Sequence, residues 1–401
     1  MAGDDAKAIP TRLAEAGRRA DWTRPPNSRA GLVNPPVWHA STILFDNLTA
    51  LDAGIAAPDD GLYYGRRGTP TSWALEAALT ELEPGAAGTC LYPSGVAAVA
   101  AALLSVLKVG DHLLITDSAY EPTRLFANRT LAPLGIETSY YDPLIGAGIE
   151  ALLRPNTRAI LLESPGSLSF EVQDVPAIAR VARARDVVTI IDNTWATPLL
   201  FAAIGHGVDM SVQALTKYVA GHSDVMMGSV TANAACFAAL RSASYRLGYC
   251  VGPDDAFLTL RGLRTLGVRL AQQGATALKL AHWLAAHPAV DRVLHPGLPK
   301  CPGHALWARD FNGASGLFGF VLKQGKRSDT AALIDNLAHF GIGFSWGGFE
   351  SLILPSNLAP MRTVTRFVAS GPLLRISAGL EDADDLIADL DAGLARYQAQ
   401  F

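Results

Sequence analysis

VVTIIDNTWATPLLFAAIGHGVDMSVQALTKY, residues 187–218, holds two short apolar runs, and each closes on polar residues that a core would not accept. The β-formers at 187–191 lead into Asp192, and the run at 208–214 leads into Thr216 and Lys217. Runs that stay apolar at nearly every position suit strands buried on both faces, which predicts a mostly parallel sheet covered by helices. Ligands of such sheets bind outside the carboxyl ends of the strands. Asp192 and Lys217 are therefore expected to face one crevice from neighbouring strands.

The same grain extends outward. Helical patterns over 73–82 and 96–107 and strand-like runs at 112–116 (HLLIT), 158–163 (RAILLE) and 225–231 (VMMGSVT) surround the quoted stretch. After Pro253 the pattern changes to a long helical stretch over 256–286, strands near 317–323 and 373–377, and a closing helix from Asp382. This predicts an α/β domain over 65–255 followed by a smaller α+β domain over 256–401. Residues 1–64 carry Pro25, Pro26, Pro35, Pro36 and Pro58 among polar and short apolar pieces, the pattern of an arm laid against a neighbouring subunit.

Composition narrows the function classes. At 401 residues the chain exceeds one ordinary domain. Its 33 Lys+Arg against 37 Asp+Glu, with no basic stripe, argue against a nucleic-acid partner. Cys90, Cys236, Cys250 and Cys301 form no CxxC pair and have no histidine at ligand spacing, so they are expected to be reduced, mostly buried thiols, with no metal site. No apolar run approaches the ~20 residues of a membrane span. The acidic start MAGDDAKAIPTRLAEAGRR lacks the apolar core of a signal peptide, and the expected compartment is the cytosol.

An acid and a lysine facing one cleft are the minimum set for pyridoxal phosphate: the lysine bonds to the cofactor and the acid keeps its ring nitrogen protonated. The same pair equally suits a buried structural salt bridge. LYPSGVAAVAAALLSVL, from Leu91, adds a third element, because turn residues run straight into a helix. The backbone N–H groups of Gly95 and Val96 then lie at a helix N-terminus, a ready phosphate seat. Alone, that segment reads as an ordinary capped helix.

The segments YGRRGTPT, YPSGVAA, AYEP, ESPGS, IDNTWA, LTKYVAGHSD, RGLRTLGVR, SWGGFESL and LRISAGLED follow in this order between residues 63 and about 390. Together they closely resemble the cysteine/methionine-metabolism family of fold-type I pyridoxal-phosphate enzymes. The resemblance implies that Lys217 carries the cofactor and shuttles protons between Cα and the leaving group, that Asp192 meets the ring nitrogen, and that Tyr120 stacks on the ring and also serves catalysis. It assigns Gly95, Val96 and Thr216 to the phosphate. Tyr64 and Arg66 are implied to reach the phosphate of a neighbouring subunit, Tyr64 also serving catalysis and the substrate, in a homodimer or homotetramer. Arg375 is implied to bind the substrate α-carboxylate, with Ser345 and Trp346 lining the same pocket. Each position has a plainer reading: a loop aromatic for Tyr120, a backbone-bonded hydroxyl for Thr216, a solvated turn for Tyr64 and Arg66, and a salt bridge to Glu381 for Arg375.

Within the family, Ala214 in ALTK and Trp346 in SWGG are similar to the β-lyase branch rather than the γ-type enzymes. That implies cleavage of L-cystathionine to homocysteine, pyruvate and ammonia, a step of methionine biosynthesis. Phe344 departs from the branch, where tyrosine is usual, so cysteine and other S-substituted cysteines stay open as substrates. A γ-type lyase or synthase, and a cofactor-binding regulatory protein without turnover, are the alternatives.

Overall fold

Alternate side chains of each central strand feed different cores, which is why the sequence runs stay apolar. In the computed structural model, which describes residues 7–24 and 28–401, Leu113, Ile115, Leu161 and Ile190 join one apolar cluster, while Leu114, Ile160, Leu162 and Ile191 join another on the opposite face. The strands are β1 (Ala86–Tyr92), β2 (His112–Thr116), β3 (Glu137–Tyr141), β4 (Thr157–Glu163), β5 (Val188–Asp192), β6 (Met210–Gln213) and β7 (Gly228–Asn233). They form a sheet in the order β1-β7-β6-β5-β4-β2-β3. Only β7 runs against the rest, pairing antiparallel with both β1 and β6. The architecture is the expected α/β fold with a mostly parallel sheet.

A second sheet holds β8 (Val290–Leu294), β9 (Leu317–Leu322), β10 (Phe340–Gly341), β11 (Ser351–Ser356) and β12 (Leu373–Ser377), in the order β10-β11-β12-β9-β8. The helix Pro253–Ala286 joins the two regions; proline at its first position is already set to the helical φ. Its first half gives Leu260, Leu263, Leu266 and Leu270 to a core of the large sheet, and its second half gives Ala277, Leu280 and Leu284 to the core of the small one.

Near the start, the helix Ile9–Glu15 docks on the same chain through Leu13, which is buried. Residues from 28 to 64 expose Leu32, Val33, Leu44, Leu48 and Ile55. Pro25 and Pro26 lie outside the described residues. All four cysteines are free; Cys90, Cys236 and Cys301 are buried and Cys250 is exposed. Among the described residues no helix is long and apolar enough to cross a membrane.

Candidate active site

The parallel strands of the large sheet release the chain at one edge, where the polar residues collect. β4 ends at Glu163 and β5 at Asp192, paired in register. β2 is followed by Asp117 and Tyr120, β1 by Ser94 and Gly95, and β6 by the turn carrying Thr216 and Lys217.

Asp192 is half-buried, and one of its oxygens is already committed. Its Oδ1 accepts from the backbone N of Thr194 at 3.0 Å and from Thr194 Oγ1 at 2.5 Å. Thr194 Oγ1 in turn accepts from the N of Ala214 at 2.9 Å, which ties the acid to the turn leading into Lys217. Oδ2 takes no donor among the described residues. Burial raises the Asp192 pKa, against the Thr194 hydrogen bonds and the charge of Lys217.

Lys217 forms no ion pair with Asp192, so the structural salt-bridge reading is not met. Its ammonium donates to Ser345 Oγ at 2.7 Å and faces the Trp346 ring at 5.3 Å. Burial and the nearby Arg375 guanidinium lower its pKa to about 8, with Asp192 opposing. The chain beyond it is held from below: buried Arg269 donates to the carbonyl oxygens of Tyr218 at 2.7 Å and Gly262 at 2.7 Å.

The 345–348 loop is laid directly on this turn. Ser345 has φ 82°, a left-handed conformation that a residue with a Cβ adopts only under constraint. It bridges the two cations, its Oγ taking Lys217 and its carbonyl O taking Arg375 Nη2 at 3.1 Å. Gly347, also at φ 82°, lies where a Cβ would stand 3.0 Å from the N of Tyr218. Trp346 packs on Tyr218 with ring centroids 5.3 Å apart, whereas Phe344 is 90 % exposed at the rim.

Arg375 lies in the middle of β12, opposite Gly319 on β9 and Leu354 on β11. It pairs with no acid among the described residues. Glu381, the expected alternative partner, accepts instead from the N and Oγ of Ser351, both at 2.8 Å. Burial lowers the Arg375 pKa, the nearby Tyr120 opposing.

Tyr120 donates its backbone N–H to Glu163 Oε2 at 2.7 Å. Its phenol is raised in pKa by burial, then by Asp192 and Glu163, with Arg375 acting the other way; the ring therefore shares the cleft of those groups. The chain beneath it is clipped to the distant 363–365 segment. The buried Asp117 carboxylate accepts from the N of Thr363, Val364 and Thr365 at 2.9 to 3.1 Å and from Arg124 Nη1 at 3.1 Å.

Ser94 caps the helix Gly95–Val106 by accepting from the N of Ala97 at 3.1 Å. A Cβ on Gly95 would stand 2.7 Å from Ala214 Cβ, so glycine brings this helix start against the lead-in to Lys217. The first-turn N–H groups, those of Gly95 and Val96 included, have no acceptor inside the helix. Thr216 Oγ1 donates to Met227 O at 3.1 Å and accepts from Met227 N at 3.0 Å, the backbone-bonded arrangement of its plainer reading.

Tyr64 and Arg66 stand apart from this cluster. Both are exposed, and Arg66 Nη1 donates to the carbonyl O of Tyr245 at 2.9 Å. Neither bonds to Lys217, Asp192 or the Ser94–Gly95 turn within the chain. Two residues of the site carried no role in the sequence reading. Thr194 sits two positions after Asp192, the spacing of a side-chain turn. Glu163 closes the apolar run RAILLE just as Asp192 closes its own.

The geometry fits pyridoxal phosphate with an amino-acid substrate. Lys217, the free oxygen of Asp192 and Arg375 face one cleft without opposite charges of their own, and an open helix N-terminus lies beside them.

Residues 16–395 match the family model described as Cys/Met metabolism PLP-dependent enzyme. Cystathionine beta-lyase MetC of Escherichia coli (strain K12) is 48% identical over 397 residues, which cover 97% of this chain and 99% of that protein. An L-alanine/L-glutamate racemase of Wolbachia pipientis wMel is 41% identical, with 96% of each chain covered. The crystal structure of cystathionine gamma-lyase from Lactobacillus plantarum complexed with L-serine superposes with a TM-score of 0.86 at 29% identity, covering 98% of this chain and 100% of that one.

Proposed function

The chain belongs to the Cys/Met metabolism family of pyridoxal-phosphate-dependent enzymes, and on that premise we propose that it is a carbon–sulfur β-lyase cleaving L-cystathionine to homocysteine, pyruvate and ammonia. The observation that carries this reading is the Trp346 indole laid over Lys217 at 5.3 Å, beside the Ser345 bridge to Arg375. Several relatives named as cystathionine beta-lyases are 46–48% identical to it over most of their length.

Bound pyridoxal phosphate supplies an electron sink for the charge released at the substrate Cα. Asp192 holds the proton at the ring nitrogen through its free oxygen. Arg375 binds the α-carboxylate with its planar fork, which fixes the Cα–H bond toward Lys217. Lys217 takes the Cα proton and returns one to the departing sulfur; with its pKa near 8, an appreciable share is free amine at neutral pH. Trp346 fills the space beside the ammonium and presents Cβ, rather than Cγ, for thiolate departure. Tyr120 covers the ring. Gly95 and Val96 would take the phosphate through their backbone N–H groups, while the Thr216 hydroxyl, expected to join them, is spent on the Met227 backbone.

Tyr64 and Arg66 serve the phosphate and substrate of a neighbouring subunit, which makes the active form a dimer or a dimer of dimers. Their exposure, and that of Leu44, Leu48 and Ile55 on the arm, suits a surface covered by another copy. The expected compartment is the cytosol.

Product analysis tests the reading. Pyruvate with homocysteine is the expected outcome. 2-Oxobutyrate with cysteine would move the chain to the γ-type enzymes, and a fully active monomer in sedimentation would refute the shared site.

A further inference from the structure

Glu163 and Asp192 close adjacent parallel strands as register partners. Paired residues of neighbouring strands put their side chains on one face, about 4.8 Å apart. Two carboxyl groups thus stand side by side at the cofactor edge. Asp192 is held by Thr194 and keeps a free oxygen, while Glu163 spends Oε2 on the Tyr120 backbone N–H at 2.7 Å. The cations in reach are shared unequally. Lys217 acts on Asp192, whereas Arg362, the cation acting on Glu163, is bonded to Glu171 at 2.8 Å.

We infer that Glu163 is a positioning residue of this site: as the uncharged member of the carboxyl pair it leaves the single negative charge on Asp192, and through the Tyr120 N–H it fixes that ring over the cofactor. Two half-buried carboxylates a strand spacing apart resist double ionisation, and Glu163 has less to offset its charge. Burial first, then Asp192, drives its pKa well above the ordinary carboxylate range, in keeping with this role. An uncharged acid still accepts from an N–H, so the hold on Tyr120 does not need the charge.

The inference rests on the reading that Tyr120 covers pyridoxal phosphate at this site. It is tested on wild type, Glu163→Gln and Glu163→Ala, each stripped of cofactor and titrated with pyridoxal phosphate. The readouts are the dissociation constant by equilibrium dialysis, the induced circular dichroism of the bound cofactor, and the melting temperature of the cofactor-free form. Gln keeps an acceptor for the Tyr120 N–H and carries no charge, so its dissociation constant should stay within about twofold of wild type, with an unchanged dichroic band. Ala should weaken binding roughly tenfold and reduce the dichroism, because one lost hydrogen bond is worth about 1.4 kcal/mol at that ratio. A Gln variant as impaired as Ala would overturn the uncharged role, and an Ala variant matching wild type would overturn the hold on Tyr120. Should Ala fail to fold, the Gln result still decides the first point, and a Glu163→Leu variant of normal melting temperature replaces Ala for the second. If the wild type itself does not take up pyridoxal phosphate, the functional reading fails instead.

Discussion

The depressed pKa of Lys217 sets a pH profile for cofactor uptake. Attack on the cofactor aldehyde needs the free amine. At pH 7 a lysine with a pKa of about 8 is roughly 10 % neutral, against well under 1 % at the ordinary 10.5, a gain of roughly two orders of magnitude, or about 3 kcal/mol. The causes act in opposite directions, which makes the origin testable. Removing the like charge with Arg375→Leu should move the inflection upward, though burial keeps it below 10.5. Removing the opposite charge with Asp192→Asn should move it downward. The assay mixes cofactor-free protein with pyridoxal phosphate between pH 6.5 and 10, follows the visible absorbance, and divides each rate by that of a blocked free lysine. An inflection near 10 in the wild type, or shifts of the same sign in both variants, would refute the electrostatic account of this cleft.

For Asp192→Ala, loss of a charge-assisted hydrogen bond of about 1.5–3 kcal/mol should weaken cofactor retention by roughly 10- to 150-fold and slow elimination steeply, which dialysis and steady-state rates will show. Phe344→Tyr returns a donor to the rim and should lower KM for cystathionine several-fold, by about 1 kcal/mol, with a smaller effect on KM for cysteine; equal effects would mean the rim does not meet the distal end of the substrate. His295 is buried, and burial lowers its pKa from 6.5 to about 4. The unfolded chain therefore binds the proton first, and between pH 6.5 and 4 stability falls as pH falls, by about 2 kcal/mol at pH 5 relative to pH 7.5. Urea midpoints at those two pH values should show that part of the loss missing in His295→Gln.

The sequence made legible what is locally apolar or locally charged. β2, β4 and β5 are runs of aliphatic residues and were readable as buried strands. β1, AAGTCLY, has no such run; its strand character comes from pairing with β7, a contact made across 142 residues at the Thr89–Thr231 hydroxyl pair. β3, ETSYY, lies at the sheet edge, where polar residues are tolerated, and it carries no burial signal. β8 and β10 lie at the two edges of the small sheet, β10 with only two residues, while β11, SLILPS, lies inside the sheet but offers only three aliphatic residues before Pro355, too brief a run to mark a strand. In the site, Lys217, Asp192 and Arg375 announce themselves because charge at the end or middle of an apolar strand is costly. The roles of Thr194 and Glu163 depend on which oxygen each side chain meets, and spacing does not encode that. Tyr64 and Arg66 form an exposed turn within one chain.

The Asp117 clip has a consequence for the order in which the molecule is made. Its acceptor emerges early from the ribosome, and its donors arrive 246 to 248 residues later. Until then the carboxylate has Arg124 for company and little else. A nascent chain that ends before residue 363 has every strand of the large sheet, yet it lacks the amides that hold the Asp117 pKa far below the usual carboxylate range. The floor beneath Tyr120 is thus finished only once the 363–365 segment has been made, and the cleft draws on parts of the chain some 246 residues apart.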